Sequence, residues 1–245
     1  MAINEKDFIS LLTKTFKDNG LSSYLSQERC DKLLALTERL LTENEKYNLT
    51  AITDVERIIL NHYADCVSLA ARLKKGAMVI DIGSGAGFPA LPLAIVRDDL
   101  KILAVDSTAK RVCYIEESAR LLGLSGVTTA VMRAEDGGRM PEYREKFDYA
   151  TARAVAEMRV LAELTLPFVK PGGQLIAMKG KNAEFELSAA KRAIATLGGR
   201  NTAVETVSLK GRNEVLTHPL IIVEKRDRTP AAYPRPYAQI SKKPL

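Results

Sequence analysis

The sequence predicts an α/β fold in which a mostly parallel sheet is covered by helices on both faces. From Gly76 onward, short apolar runs alternate with amphipathic helical segments, which is the pattern of strand–helix–strand units. The last two β-type runs, 203–209 and 219–223, are separated only by a short turn around Gly211, so we expect them to pair antiparallel. Five alternating strands and a terminal hairpin make a seven-stranded, Rossmann-like sheet.

Each predicted strand is a short apolar run that ends at polar, glycine or proline residues. Pro171-Gly172-Gly173 is expected to be a turn into the fifth strand, and a helix is expected from Glu184 to Leu197. The five strands before the hairpin are predicted at 78–81, 102–105, 127–132, 147–151 and 174–178.

The residues before the sheet are predicted to be helical. Apolar side chains recur at three- and four-residue steps in a first helix around Phe8 and in a second helix from Gln27. A third stripe runs from Val55 to Leu73 after Asp54, a residue type that caps helix N-termini. These helices are expected to pack on the later sheet.

These patterns divide the chain into three parts. Residues 1–75 are a helical extension, residues 76–225 the main domain, and residues 226–245 a basic, proline-rich tail. From Lys225 onward the tail region carries six basic residues and one acid. It is either an extended RNA-binding segment, whose tyrosines offer stacking surfaces, or a solvated tail.

Composition narrows the class of protein. Hydrophobic residues make up 46% and charged residues 27% of the chain, as in soluble globular proteins. No apolar run approaches the ~18 residues of a membrane span, and the first residues lack a secretory signal pattern. The three cysteines include no CxxC pair, so neither structural zinc nor a disulfide framework is expected. We expect a cytoplasmic location, and the net charge of +6 favours an acidic partner.

The segment 78–95 is a strand, a glycine-rich turn and the start of a helix, which is a common geometry for nucleotide binding. A Walker loop does not match, because lysine and Ser/Thr are missing after the last glycine. A dinucleotide fingerprint can be placed on Gly85, Gly87 and Ala90 but leaves Asp81 unexplained. A tight turn that binds nothing is the remaining alternative.

A further interpretation takes Asp81-x-Gly83-x-Gly85-x-Gly87 as one unit. This unit is similar to the first motif of class I S-adenosylmethionine (SAM) methyltransferases, in which the acid serves the amino-acid end of SAM and the glycines make room for it. We therefore expect SAM as the cofactor.

Other candidate SAM-binding residues follow the next strands. Asp106 ends the second strand, where an acid accepts hydrogen bonds from ribose hydroxyls or caps the helix after Thr108. Ala134 and Glu135 follow the third strand at the same sheet edge. Phe88, in the glycine loop, lies either against the ligand or in the core.

The catalytic motifs that this sequence lacks indicate which atom of the substrate is methylated. Cys113 lies inside a helix, so a nucleophilic cysteine for carbon methylation is not evident. Thr151-Ala152-Arg153-Ala154 replaces the Asn/Asp-Pro-Pro-aromatic motif usual in enzymes that methylate exocyclic amines. A ring nitrogen such as guanine N7 needs neither nucleophile nor base. No catalytic residue is certain; Arg153 is the candidate for positioning substrate or cofactor, with a surface ion pair as the alternative.

His62 and Asp65 are three residues apart and are expected to meet on one side of a helix. They form either a substrate-facing pair or a histidine held in the core by a hydrogen bond. We favour the packed histidine.

Several motifs together resemble the GidB/RsmG family over nearly the whole chain. They are Tyr47-Asn48-Leu49-Thr50, His62 with Asp65, Asp81 to Pro89, Asp106-Ser107 with Lys110-Arg111, Arg153-Ala154 and Lys179-Gly180. The resemblance implies a bacterial enzyme that methylates N7 of a guanine in the 530 loop of 16S ribosomal RNA. It also implies SAM contacts at Gly83, Phe88, Asp106, Ala134, Glu135 and Arg153. Ala90 departs from the family's usual glycine, and Thr151-Ala152 precede Arg153 where serine is common.

The expected partner is 16S ribosomal RNA or the small ribosomal subunit, with no membrane and no metal, and the expected state is a monomer. Three alternatives stay open at this point. They are a dinucleotide-dependent oxidoreductase, an RNA-binding protein with an inactive SAM pocket, and a methyltransferase that acts on another RNA or a small molecule.

Overall fold

One seven-stranded sheet is the centre of the computed structural model, which describes residues 3–245. The strand order is β3-β2-β1-β4-β5-β7-β6. The strands are β1 (Met78–Ile82), β2 (Lys101–Asp106), β3 (Val127–Val131), β4 (Phe147–Arg153), β5 (Val169–Met178), β6 (Gly199–Lys210) and β7 (Val215–Lys225).

The strand directions agree with the prediction. β1 to β5 are parallel, and β7 is antiparallel to both β5 and β6. β1 lies between β2 and β4, so the order of strands reverses beside it. Ligands of open α/β sheets bind at the carboxyl ends of the strands next to such a reversal. The predicted seven-stranded, mostly parallel sheet with an antiparallel hairpin is confirmed.

Ten α-helical segments are described within residues 3–245. Those before the sheet are α1 (Glu5–Asp18), α2 (Gln27–Tyr47), α3 (Val55–Ile58) and α4 (Asp65–Val67). Those within or after the sheet are α5 (Ala90–Val96), α6 (Ala109–Leu121), α7 (Ala134–Gly137), α8 (Met158–Thr165), α9 (Ala183–Thr196) and α10 (Tyr237–Lys242).

The helices before the sheet cover one of its faces. Phe8, Leu12 and Leu33 are buried in one apolar cluster with Leu91 and Leu93 of α5. The amphipathic spacing explains this placement, since burying such a stripe removes apolar area from water. Side chains of Asn4, Ser26 and Asp54 cap α1, α2 and α3, and the cap predicted at Asp54 is confirmed.

The third predicted helix, from Val55 to Leu73, is not one regular α-helix. A π-helical segment, Ile59–Ala64, separates α3 from α4, and a 3-10 turn follows at Ala70–Arg72. π-helical turns are rare and frequently lie at functional sites. Within this turn, the Asn61 carbonyl accepts a hydrogen bond from Arg153 of β4.

The turn predicted at Pro171-Gly172-Gly173 is wrong in detail, because β5 begins before it, at Val169. Val169 pairs with Phe147, and pairing resumes at Gln174 with a register shift. The proline and glycines form an irregularity within the strand, where Gly172 has a φ of 89°.

Residues 226–245 fold back onto the sheet domain and end in α10. Ile240 is fully buried and packs with Val160 and Leu164 of α8. The backbone amide and guanidinium of Arg235 donate to the carboxylate of Glu163, which has no exposed surface. The division of the chain at residues 75 and 225 into three domains stays a prediction.

Residues 3–245 include no helix that is long and apolar enough to cross a membrane. Over the same span, the structure places no three His, Cys, Asp or Glu side chains so that they would hold a metal ion.

We expect Arg235→Ala to lower the free energy of unfolding by about 3 kcal/mol, because the substitution leaves the buried Glu163 carboxylate without its charged partner. Urea denaturation measures this change. Arg226→Ala, at an exposed position of the same segment, is the control and should cost less than about 0.5 kcal/mol. Equal, small effects of both substitutions would contradict the anchoring role of Arg235.

Candidate active site

The glycine loop after β1 turns sharply and is hydrogen-bonded to β2. Gly83, Gly85 and Gly87 all have positive φ, at 70°, 56° and 84°. The amides of Gly83 and Ser84 donate to the carbonyl of Val105, at 2.8 and 2.9 Å. A Cβ at Gly83 would lie only 2.7 Å from a methyl group of Val155. Glycine is therefore required at Gly83 by both conformation and space.

Asp106 links this loop to the start of α6. One carboxylate oxygen accepts from the Gly85 amide at 3.1 Å, and the other accepts from the Thr108 amide at 2.8 Å. The guanidinium of Arg111 lies 3.5 Å from the same carboxylate. A carboxylate accepts about four hydrogen bonds, so these contacts leave capacity for ligand hydroxyls. Both of the roles predicted for Asp106 are compatible with this geometry.

A cavity of about 280 Å³ opens at the carboxyl ends of β1, β2 and β4. Four of the predicted cofactor residues line it: Gly83, Asp106, Ala134 and Glu135. The remaining wall includes Arg111, which belongs to the motif that starts at Asp106, and Met132, Val155, Leu164 and Tyr237, for which no site role was predicted from the sequence. The cavity has the size of a small-ligand site at the expected edge of the sheet.

Asp81 is fully buried two residues before Gly83 and does not line the cavity. The Thr151 hydroxyl donates to one carboxylate oxygen at 2.9 Å. The other oxygen has no hydrogen-bond partner among residues 3–245. Burial raises the pKa of Asp81 to about 6, although the nearby hydroxyls of Thr151 and Ser84 oppose this shift. An unpartnered buried acceptor fits the amino group of a bound SAM, which would satisfy it.

Phe88 is buried away from this cavity. Its ring stacks on the His62 ring, with centroids 4.3 Å apart and an angle of 20° between the planes. The guanidinium of Arg153 lies 5.9 Å from the centroid of the Phe88 ring. Of the two positions expected for Phe88, against the ligand or in the core, these contacts agree with the core.

Arg153, at the end of β4, connects the sheet to the π-helical segment. It donates to the Asn61 carbonyl at 2.9 Å and to Nδ1 of His62 at 2.8 Å, and lies 3.4 Å from the Asp65 carboxylate. The expected direct contact between His62 and Asp65 is replaced by contacts of both residues with Arg153. The π-helical turn accounts for this difference, since it alters the three-residue spacing of an α-helix.

His62 has the environment of a packed, neutral histidine. Burial and the Arg153 guanidinium lower the pKa of His62 to about 3. Nδ1 accepts from Arg153, so the ring proton is on Nε2, which lies 3.1 Å from the Thr50 hydroxyl. The favoured interpretation, a histidine fixed in the core, agrees with these contacts.

A second cleft, of about 290 Å³, adjoins the first on the other side of Ala154, a residue that lines both. Arg153, Asp65, Lys179 and His218 supply its charged and titratable groups. Ala154 has a φ of 55°, which is unusual for a residue with a Cβ and occurs often at functional sites. Two clefts therefore meet at one strained residue.

His218, which sequence reasoning missed, hydrogen-bonds through Nε2 to the Asp65 carboxylate. Burial alone would lower the pKa of His218, but the bond to Asp65 and its charge raise the pKa above the ordinary value. A signal was available, because His218 directly precedes the predicted last strand. An antiparallel hairpin places that position near the carboxyl end of β5, since Leu220 pairs with Met178.

The sheet order, the glycine loop and the cavity define the fold of the class I SAM-dependent methyltransferases. An O-methyltransferase from Thermotoga maritima superimposes with a TM-score of 0.54 and 19% identity, over 77% of this chain and 72% of that one. A tRNA (m1A58) methyltransferase from Aquifex aeolicus has a TM-score of 0.51 and 16% identity, over 66% and 68% of the two chains. These similarities support the fold.

Closer similarity gives the family. The GidB family, described as rRNA small subunit methyltransferase G, matches residues 29–215. A "Ribosomal RNA small subunit methyltransferase G" of Clostridium perfringens is 42% identical over 97% of this chain and 99% of its own length. A protein of the same name from Leuconostoc mesenteroides is 42% identical over 99% and 100% of the two chains. The chain belongs to the GidB family of SAM-dependent methyltransferases, and the resemblance seen in its motifs is confirmed.

We expect Asp81→Asn to remove a pH dependence of stability. Because the pKa of Asp81 rises from 3.8 to about 6 on folding, the folded chain binds this proton more tightly than the unfolded chain. The contribution of Asp81 to the free energy of unfolding is therefore highest below the unfolded pKa. It is lost as the pH rises through the folded pKa, by on the order of 3 kcal/mol.

Urea denaturation at about pH 5 and about pH 8 measures the effect. Asp81→Asn should unfold with a smaller difference between the two pH values than the wild type, and it should gain stability at the higher pH. Asp136→Asn, at an exposed position of α7, is the control and should behave as the wild type does. An unchanged pH dependence in Asp81→Asn would contradict the assignment.

Proposed function

We propose that the protein transfers the methyl group of SAM to N7 of a guanine in the 530 loop of 16S ribosomal RNA. The observation that carries the proposal is the pair of clefts that meet at Ala154. One cleft has the acid and glycine loop expected for SAM, and the other has an arginine, a lysine and a histidine for an anionic acceptor. The names of the curated relatives support ribosomal RNA of the small subunit as that acceptor.

Several residues of this chain are proposed to hold SAM. Asp106 accepts from the ribose hydroxyls, Gly83 and Gly85 leave room for the ligand beside the loop, and Asp81 pairs with the amino group. Ala134 and Glu135 border the adenine end. SAM supplies an electrophilic methyl group when bound, so the protein has to bind and orient the two reactants.

The acceptor side needs no general base in this proposal. N7 of guanine carries a lone pair and no proton, so it would accept a methyl group without a base; SAM, held by the residues named above, would supply that group from its positively charged sulfur. The Asp65 carboxylate lines this cleft, but its charge is paired with Arg153 and hydrogen-bonded to His218. Its part in this proposal is to hold those two side chains in the wall of the cleft.

Arg153 is proposed as a positioning residue on the acceptor side. Its guanidinium lines the second cleft and not the first. The resemblance implied a contact with SAM, so the position of Arg153 favours a different role. By holding Asn61, His62 and Asp65, it fixes the wall against which the base would lie. The same proposal has the protein act as a monomer in the cytoplasm on the small ribosomal subunit or its RNA.

Methyl transfer from labelled SAM to small ribosomal subunits and to free ribosomal RNA tests the proposed function. The RNA should come from cells that lack the protein, and mass spectrometry should identify the product nucleoside. We expect N7-methylguanine in the 530-loop fragment. Label in a different nucleoside would overturn the target, and absence of transfer to any RNA by a SAM-binding protein would overturn the substrate class.

The role of Arg153 is tested by Arg153→Lys, which keeps the charge but loses the planar set of donors. We expect kcat/KM for RNA to fall by roughly tenfold or more, while the SAM dissociation constant changes less than about threefold. Arg159→Lys, at an arginine of α8 that lines neither cleft, is the matched control. A parallel loss of SAM affinity would instead make Arg153 a cofactor-binding residue.

A further inference from the structure

The segment 226–245 is bound to the sheet domain along its length. The guanidinium of Arg144 donates to the carbonyls of Thr229 and Tyr233 at 2.7 and 2.8 Å. Arg139 donates to the carbonyl of Ala232 at 3.1 Å. The segment is therefore held by directed bonds to its backbone, which does not fit the solvated tail, one of the two alternatives that the sequence left open.

One contact fixes the segment beside the first cavity. Arg235 donates through its amide and Nε to one oxygen of Glu163, at 2.8 and 2.9 Å, and through Nη2 to the other oxygen at 2.6 Å. Glu163 is fully buried in α8. An arginine that binds both oxygens of a buried carboxylate restricts both the position and the orientation of the segment around it. Tyr237, two residues further along the chain, is thereby set at the cavity.

Tyr237 is the first residue of α10 and lines the same cavity as Asp106 and Glu135. The short helix cannot rotate freely, because Ile240 on its next turn is fully buried against Val160. Tyr237 itself is 45% exposed. An aromatic side chain with free surface is thus held in the wall of a polar cavity.

We infer that Tyr237 binds the adenosine end of SAM, with its ring against the adenine. Ala134, which follows β3, lines this cavity and also packs against the cluster of Val160, Leu164 and Ile240, so α10 lies beside this end of the cavity. Glu135 and Tyr237 line the same cavity. Adenine offers a flat π face, and stacking on an aromatic ring is a common and favourable way to bind a base. The inference rests on the proposed use of SAM. It assigns a role in cofactor binding to Tyr237, which lies outside the family match at residues 29–215.

This inference changes the expected role of the tail. Two of the six basic residues counted in the sequence, Lys225 and Arg235, are engaged inside the fold. Lys225 is buried, and its ammonium donates to the Leu166 carbonyl at 2.8 Å. Burial lowers the pKa of Lys225 to about 8. The main contribution of the segment is to the cofactor site, and RNA contacts are left to the exposed basic residues.

The test is calorimetric binding of S-adenosylhomocysteine and of adenosine to the full chain. We expect Tyr237→Ala to weaken the binding of both ligands by roughly tenfold, as loss of one stacked base predicts. Tyr237→Phe keeps the ring and should bind within about twofold of the wild type. Lys242→Ala, on the same helix but outside the cavity, is the matched control and should bind as the wild type does. Thermal unfolding of each variant checks that the fold is retained.

The outcomes separate this inference from the proposed function. If the wild type binds S-adenosylhomocysteine and folded Tyr237→Ala binds it equally well, Tyr237 is not a cofactor residue, and the methyltransferase proposal is unaffected. If the wild type binds neither ligand, the proposed use of SAM fails first. Hydrogen exchange in the wild type gives a second measurement: S-adenosylhomocysteine should slow exchange in residues 237–242, and unchanged exchange there would overturn the inference.

Discussion

The arrangement of residues at the carboxyl edge of the sheet depends on the contacts of the Arg153 guanidinium. Arg153 ends β4 and reaches the Asn61 carbonyl, the His62 ring and the Asp65 carboxylate. Asp65 in turn binds His218 of β7. One side chain therefore joins the helical extension, the parallel sheet and the antiparallel hairpin. Because His62 and Asp65 are buried, loss of this group would leave the Asn61 carbonyl and Nδ1 of His62 without this donor at once, while the Asp65 carboxylate would keep its bond to His218.

The same edge contains features that reduce stability in the absence of a ligand. Asp81 keeps a buried carboxylate, one oxygen of which has no hydrogen-bond partner in the described part of the chain, and Ala154 holds a left-handed backbone conformation. Each feature has a free-energy cost. Asparagine in place of Asp81, beside Thr151, or glycine in place of Ala154 would reduce the respective cost. Such costs are common where a site is organised in advance for its ligand. In the proposed function, Asp81 belongs to the SAM site, and Ala154 lies between that site and the acceptor cleft.

The sequence was sufficient for the sheet and for several residues that line the first cavity. Asp106, Ala134 and Glu135 were predicted because strand ends of a parallel sheet share one edge, and that rule needs only local patterns. Tyr237 and His218 were missed because their positions depend on contacts between distant residues, such as Arg235 with Glu163, 72 positions apart. The π-helical turn was missed because six residues are too few to distinguish its periodicity from that of an α-helix.

The central claim is that cofactor and acceptor base occupy the two clefts that adjoin at Ala154. A crystal structure of the protein with S-adenosylhomocysteine and a 530-loop RNA fragment tests it most directly. The account predicts the ribose at Asp106 and the target guanine in the cleft of Arg153 and His218, with N7 facing the sulfur. A guanine bound elsewhere on the surface, with its N7 turned away from the sulfur, would contradict it.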